Sequence, residues 1–159
     1  MPNWIKGTLK LRGDRKNIKK FFTEGLEASH WIGEEKLEDQ VTDESDEHNM
    51  YFCFKDEPHI IGERRAFITD DYVCMDMDNE TEGFACVDIK QAWCFTTEGK
   101  ADEWKAISDK YDLDVKLYGV ECGMEFTQEI IILRGKRPII NEKQYADWDW
   151  ECPFPKMGG

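Results

Sequence analysis

The strongest constraint on the fold of this chain is an alternation of apolar and polar residues close to its start. Ile5, Gly7, Leu9 and Leu11 alternate with polar or charged side chains at positions 6, 8, 10 and 12. Successive side chains of a β-strand point to opposite faces, so a period of two predicts a strand with one buried face and one wet face. A chain that opens in this way must also supply helices or a second sheet to cover the apolar face of this strand.

The following segment changes from the period of a strand to the period of a helix. Gly13 and Asp14 interrupt the alternation, and Asp14 is a favourable N-cap residue. Apolar residues then recur every three to four positions, which predicts an amphipathic helix. Its apolar positions are Ile18, Phe21, Phe22 and Leu26.

The rest of the chain yields further elements by the same rules. A helix over 100–111 has Trp104, Ile107 and Tyr111 as its apolar stripe. The other predicted elements are a short apolar run at 51–54, a hairpin of 66–69 with 72–77 through Asp70-Asp71, a long strand at 84–95, and a hairpin of 115–120 with 125–133 through Gly123.

This order of elements predicts an α+β fold, namely a ferredoxin-like antiparallel sheet with two helices on one face. We expect residues 1–159 to form a single domain. Residues 27–49 are interpreted as an acidic loop insertion, and residues 138–159 as an aromatic C-terminal tail packed on the domain. Packing of the tail is expected because Trp148, Trp150 and Phe154 are costly to leave in water.

The negative charge of the chain is concentrated in two stretches, residues 33–47 and 76–88. The formal net charge is -13, while the first twenty residues are basic. Because phosphate binding needs clustered Lys and Arg, we expect no direct binding of nucleic acid. The acidic stretches predict docking on a host protein with a basic surface, and a solvated loop that only maintains solubility is the alternative. The candidate partner-binding residues are Glu34, Glu35, Glu38, Asp39, Asp43, Glu44, Asp46 and Glu47.

The motifs in the chain do not indicate catalysis, a metal or a cofactor. Residues 82–89 resemble an RNA-binding strand signature, but Cys86 and Ile89 stand where we expect stacking aromatic residues. Residues 76–83 resemble the start of a calcium loop, but Thr81 stands where glycine is needed. We therefore expect a non-enzymatic protein without a cofactor or metal. An enzyme whose site cannot be read from the sequence is a second alternative.

An aromatic pocket is the alternative to acidic docking. Tryptophan rings and nearby bases could together hold a nucleotide signal and sequester it. The candidate ligand-binding residues are Trp93, Arg134, Lys136, Arg137, Trp148 and Trp150.

Several short features occur together at the two ends of the chain. The opening Met1-Pro2-Asn3-Trp4 precedes a strand ending at Gly13, and Ala92-Trp93 follows a long strand. Further features are Ser108-Asp109-Lys110-Tyr111, Gly123-Met124-Glu125-Phe126 and the closing Trp150-Glu151-Cys152-Pro153-Phe154-Pro155 with Gly158-Gly159. The chain thereby resembles the YubB-type ferredoxin-like family of phage, prophage and plasmid proteins. The resemblance implies a ferredoxin-like fold and a mobile-element origin, and it supplies no site residues.

The leading hypothesis is a phage or mobile-element accessory protein that binds a host component, plausibly as an inhibitor of an antiviral defence. We expect a cytoplasmic location in the bacterial host cell and no membrane partner, because no apolar targeting or spanning segment occurs in the sequence. Six cysteines without paired spacing favour reduced thiols in that compartment. The oligomeric state is left open.

Overall fold

A computed structural model describes residues 3–29, 36–76, 82–96 and 99–157. These ranges contain eleven strands, three helices and one turn of 3-10 helix at Leu37–Asp39. The strands are β1 (Trp4–Asp14), β2 (Leu26–Glu27), β3 (Val41–Asp43), β4 (Asn49–Phe54), β5 (His59–Ile60), β6 (Ala66–Ile68), β7 (Tyr72–Asp76), β8 (Glu82–Ala92), β9 (Asp114–Glu121), β10 (Phe126–Ile132) and β11 (Ile139–Gln144). The helices are α1 (Arg15–Glu24), α2 (Lys100–Tyr111) and α3 (Trp148–Glu151).

The strands form two antiparallel sheets. The large sheet has eight strands in the order β11-β10-β9-β1-β8-β6-β5-β2, and the small sheet has three in the order β3-β4-β7. The predicted ferredoxin-like fold is therefore wrong, because the protein is mostly sheet and its helices are short. The sequence pattern identified β1, β8, β9 and β10, and β6 as residues 66–69, but not β2, β5 and β11, the first two of which are only two residues long.

The two longer helices cover one face of the large sheet, as their apolar stripes predict, except that Leu26 lies beyond the end of α1, in β2. Ile18, Phe21 and Phe22 of α1 are buried, as are the three stripe residues of α2. Asp14 caps α1 by accepting a hydrogen bond from the Lys16 backbone N–H at 2.8 Å. These helices bury the alternate residues of β1 that begin with Ile5, which gives the sheet one dry face.

The small sheet packs against α1 and explains why much of the acidic segment is not a loop. The ring of Phe22 lies 5.3 Å from the ring of Phe52 and 5.8 Å from that of Phe54, centroid to centroid. Residues 36–49, predicted as part of a loop, contain a 3-10 turn, strand β3 and the start of β4. The predicted hairpin of 66–69 with 72–77 is also wrong, because β6 pairs with β8 while β7 pairs with β4.

The other face of the large sheet, here called the outer face, is open over much of its area. Lys6 and Arg12 of β1 and Phe84 and Asp88 of β8 are exposed on it. Among the described residues, no helix combines the length and the apolar character needed to cross a membrane.

The C-terminal segment covers one end of the outer face. Tyr145, Trp148 and Cys152 are buried and pack against Val120, which is on this face because it pairs with Lys6. Not every aromatic residue of the segment packs in this way. Trp150 is 87% exposed and Phe154 is 53% exposed, so the expectation that both pack on the fold was wrong. These two positions add to the exposed apolar surface of the molecule.

Candidate functional site

A hollow of about 500 Å³ lies at the end of the outer face where β1 begins. A second hollow of about 290 Å³ adjoins it and shares Ser29, Arg65 and Phe67. The volume of the first hollow alone is typical of a small-molecule site. The two hollows, together called the Trp4–Phe67 groove, are lined by Trp4, Glu27, Ala28, Ser29, Asp56, Glu57, His59, Arg65, Phe67 and Lys90.

Two aromatic rings form the apolar wall of this groove. Trp4 is on the outer face because it alternates with the buried residues of β1, beginning with Ile5. Phe67 is on the same face because its neighbours in β6, Ala66 and Ile68, point into the core. The two rings meet edge to face with centroids 6.1 Å apart, and both side chains are only half-buried. A planar ligand can therefore stack on them.

Two cations lie beside these rings. The ammonium nitrogen of Lys90 is 5.4 Å from the centroid of the Trp4 ring and 5.8 Å from that of Phe67, and it forms an ion pair with Glu57. The guanidinium carbon of Arg65 is 6.0 Å from the Trp4 ring centroid. Within the described part of the chain Arg65 has no ion pair, so its guanidinium remains available to a carboxylate or phosphate, which it can bind with two hydrogen bonds.

Backbone strain is concentrated around the groove. Six described residues other than glycine have a positive φ, and three of them line the groove. These are Asp56, Glu57 and Arg65, with φ of 56°, 55° and 61°. Such conformations cost on the order of 1 kcal/mol each and persist where the surroundings impose them. Here the Ser29 hydroxyl donates to the Asp56 carbonyl at 2.6 Å, and the Ala92 N–H donates to the Arg65 carbonyl at 3.1 Å.

A histidine and a carboxylate line the second hollow of the groove. His59 Nδ1 lies 2.7 Å from Glu27 Oε1, and the imidazole ring lies 5.2 Å from the Phe67 ring, centroid to centroid. The contact with Glu27 fixes the orientation of the imidazole. A histidine oriented by a carboxylate can donate to a ligand or move a proton through its second ring nitrogen.

A buried polar network supports the segment that presents Arg65. Glu63 accepts a hydrogen bond from Gln91 Nε2 at 2.6 Å, and Gln91 Oε1 accepts one from Trp104 Nε1 at 3.2 Å. Lys100 Nζ donates to the Arg64 carbonyl at 2.9 Å and lies 3.8 Å from the Glu63 carboxyl. Burial raises the pKa of Glu63 to about 9, so this carboxyl is protonated at neutral pH.

The ligand-binding residues predicted from the sequence do not come together. Trp93 follows the end of β8, whereas Arg134 donates to Glu82 at its start. The length of this strand separates the two by about 30 Å. Lys136 and Arg137 follow Arg134 in the β10–β11 connection and are exposed. Trp148 is buried with its Nε1 bonded to the Pro155 carbonyl, and Trp150 is exposed.

The acidic residues predicted to bind a partner have different roles. Asp46 accepts hydrogen bonds from the His48 and Asn49 backbone N–H groups, which lower its pKa. Partial burial favours a raised pKa for Asp43, but hydrogen bonds from Ser45 and contact with Lys19 lower it overall. These two residues therefore stabilise the β3–β4 turn. Glu38, Asp39, Glu44 and Glu47 are exposed, and Glu34 and Glu35 lie outside the described residues.

One residue of the groove is marked in the sequence itself. Trp4 occupies a wet-face position of a strand whose other wet-face residues are polar or charged, such as Lys6 and Thr8. An aromatic residue in such a position contributes to a binding surface when another aromatic residue lies beside it, as Phe67 does here. Arg65 and Phe67 gave no comparable signal, because their segment was assigned to the wrong partner strand.

Among the described residues, no cluster of His, Cys, Asp and Glu has the arrangement of a metal site.

Comparisons with protein families, with curated proteins and with solved structures give no match for this chain. The case for a function therefore depends on the geometry of the groove.

Proposed function

We propose that this protein binds a small aromatic anion, with nucleotides as the best-fitting class, in the Trp4–Phe67 groove. The observation that carries the proposal is Arg65, a cation without an ion pair among the described residues, in a strained backbone conformation against the ring of Trp4. Strained residues cluster at ligand sites, where the surrounding structure holds them in place. An aromatic wall beside a guanidinium complements a planar ring that carries an acidic group.

The proposed binding mode assigns each part of the ligand to a part of the groove. The base stacks on Trp4 and Phe67, where a stacked base contributes about 1–3 kcal/mol. The phosphate binds Arg65 and competes with Glu57 for Lys90. His59 can donate to a polar edge of the base or to the ribose. This mode deepens the nucleotide-binding alternative drawn from the sequence, but with a different set of residues.

The test is calorimetric titration with mononucleotides, cyclic dinucleotides and ADP-ribose, with a nucleoside and inorganic phosphate as partial ligands. We expect a nucleotide to bind more tightly than either partial ligand. Arg65→Gln should weaken binding by at least about tenfold, because hydrogen bonds to charged groups contribute about 1.5–3 kcal/mol. The matched control is Arg64→Gln, which changes the adjacent arginine outside the groove and should leave affinity within about twofold. Equal losses in the two variants, or no binding by any nucleotide, would refute the proposal.

Recovery of the ligand separates binding from catalysis. If the protein sequesters the nucleotide, the ligand released by denaturation is chemically unchanged after long incubation. A hydrolysed product that depends on His59 would support an enzyme instead, because a histidine paired with a carboxylate is a common general base. Variant His59→Asn, compared with Arg64→Gln, distinguishes these outcomes.

A second candidate is docking of the acidic surface on a basic host protein. It is favoured by four exposed carboxylates, Glu38, Asp39, Glu44 and Glu47, on the 3-10 turn and the β3–β4 turn. Because the contact is electrostatic, it should weaken with salt and with conversion of these residues to amides. A variant with four acids neutralised on α2 and β11 is the control. If the captured host protein responded neither to added salt nor to conversion of these four residues to amides, this candidate would be contradicted.

A further inference from the structure

Trp150 is the most exposed large apolar side chain among the described residues, with 87% of its surface accessible. It lies in α3 two positions after Trp148, which is buried against the outer face. Two positions correspond to about 200° around a helix, so Trp150 points away from the sheet. Leaving an indole in water sacrifices the burial of a large apolar area, so a partner surface that covers Trp150 would gain that burial.

A hollow suited to an aromatic side chain lies farther along the same face. It has a volume of about 260 Å³ and is here called the Phe84–Leu133 hollow. Phe84 and Leu133 are 54% and 41% exposed, and Ile131 of β10 is half-buried. This volume is at the small end for ligand sites, which suits one inserted side chain better than a whole ligand. The lining residues are Lys10, Leu11, Arg12, Phe84, Asp114, Val115, Lys116, Ile131 and Leu133.

The charges around Trp150 and around the hollow are opposite. Trp150 is flanked by exposed acids at Asp149 and Glu151, with Asp147 nearby. The hollow is bordered by Lys10, Arg12 and Lys116. Arg12 is paired with Asp114 and Lys116 with Glu129, whereas Lys10 has no ion pair within the described ranges. Lys10 therefore leaves a net positive charge at this rim, opposite in sign to the acidic sequence around Trp150.

We propose that two copies of this chain associate through their outer faces, each placing Trp150 in the Phe84–Leu133 hollow of the other. Both features are on the outer face, so the contact can be reciprocal. The segment around Trp148 covers Val120 of β9, whereas the hollow includes Asp114 at the other end of that strand, about 20 Å away. A two-fold axis lying in the interface and running across the strands brings each α3 onto the hollow of the partner.

The dimensions of the elements agree with this arrangement. An α-helix is about 10–12 Å across with its side chains, so α3 fills the space between two sheets that face each other. The exposed Trp150 then reaches the partner sheet, and both Trp150 side chains are buried at once. Tryptophan dominates the binding energy of many interfaces when it enters a desolvated pocket.

The test is sedimentation velocity from micromolar to millimolar protein concentration. We expect a reversible monomer–dimer equilibrium, and Trp150→Ala should raise the dissociation constant by at least about tenfold. The matched control is Phe154→Ala, which removes another exposed aromatic residue of the same segment and should have little effect. Leu133→Asp, which places a carboxylate in the hollow, should weaken self-association as strongly as Trp150→Ala. Unchanged melting temperatures will show that the variants are folded.

Mixing the two defective variants tests the reciprocal geometry. Trp150→Ala retains an intact hollow and Leu133→Asp retains an intact Trp150, so a mixed dimer has one good contact whereas either homodimer has none. We therefore expect the mixture to associate more tightly than either variant alone. A monomer at all concentrations, an equal effect of Phe154→Ala, or no gain on mixing would overturn the proposal. Since Trp150 and Leu133 do not line the Trp4–Phe67 groove, nucleotide titration of these variants tests the proposed function separately.

Discussion

The guanidinium carbon of Arg65 lies 6.0 Å from the centre of the Trp4 ring, although Arg65 must adopt a φ of 61° to reach it. The conformation is unfavourable for a residue with a Cβ atom. The Ala92 N–H and the buried residues that flank Arg65 at positions 63 and 66 hold the segment in place. The contact between Arg65 and Trp4 therefore combines a strained backbone, a positive charge and an aromatic surface. We expect replacement of Arg65 to have opposite effects on stability and on ligand binding.

Replacement of Arg65 by glycine should increase stability and decrease binding. Glycine adopts a positive φ without penalty, so Arg65→Gly should stabilise the fold by about 0.5–1 kcal/mol or leave it unchanged. The same change removes the proposed anion ligand and should weaken nucleotide binding at least about tenfold. Chemical denaturation and calorimetric titration measure the two effects. Arg64→Gly, at a position without positive φ, should instead lose about 0.5–1 kcal/mol and keep its affinity.

Replacement of Glu57 by glutamine should strengthen the binding of an anion. Glu57 forms an ion pair with Lys90, so the carboxylate competes with a ligand phosphate for the same ammonium group. Glu57→Gln removes this competition and one negative charge from the groove, and affinity should rise several-fold at low ionic strength. The gain should shrink as salt is added. An unchanged affinity in low salt would show that Lys90 does not contact the ligand.

Glu63 should make the stability of the protein fall as pH rises. Burial, assisted by the neighbouring Glu103 carboxylate, raises the pKa of Glu63 to about 9 in the folded protein, from an ordinary value of 4.5. The folded state therefore retains a proton that the unfolded state loses. Its contribution is complete below the unfolded pKa and is lost progressively toward pH 9, by at most about 1.4 kcal/mol per pH unit.

Glu63→Gln tests this pH dependence because an amide imitates the protonated carboxyl group. The variant should show a smaller decrease in unfolding free energy between about pH 5 and pH 9 than the unmodified protein. Its advantage should therefore grow toward high pH. The exposed acid Glu24 provides the control, since Glu24→Gln should retain the original slope. Parallel stability curves for all three proteins would show that Glu63 is ionised in the folded state.

Gly7 should tolerate no side chain, because β1 and β9 approach closely at this position. A Cβ atom on Gly7 would lie 1.9 Å from the Tyr118 carbonyl oxygen, which belongs to the backbone and cannot rotate away. Gly7→Ala should cost about 3 kcal/mol or more, as for severe overpacking in a core. Gly135→Ala is the comparison, since its Cβ meets nothing within 4 Å and only its φ of +69° opposes the change. Urea denaturation should show the difference in midpoints.

The elements with strong local patterns were predicted correctly. β1 follows the alternation that begins at Ile5, α1 buries Phe21 and Phe22, and α2 buries Trp104 as its spacing requires. The hairpin of β9 and β10 was also correct, since a turn at Gly123 joins two adjacent apolar runs. Short strands were not predictable in this way. β2 and β5 have two residues each, too few for a period to be visible, whereas β6 was predicted as a strand but with the wrong partner.

The pairing of strands and the groove depended on contacts between distant parts of the chain. Phe67 and Tyr72 belong to consecutive strands, but their strands join different sheets because β6 pairs with β8 whereas β7 pairs with β4. The ferredoxin-like expectation failed for this reason. It assumed that neighbouring strands pair, whereas pairing is decided by which surfaces can be buried together.

Where a segment is long enough to show a period, the sequence by itself determined whether it is a strand or a helix and which of its faces is apolar. It also determined where charge accumulates. These properties follow from backbone geometry and from the transfer of side chains out of water, and both act locally. Only the tertiary structure decided which residues meet. It placed Arg65 beside Trp4, left Trp150 exposed, and separated Trp93 from Arg134 along β8. Contacts between residues far apart in the chain arise from the packing of the whole sheet, which no local period encodes.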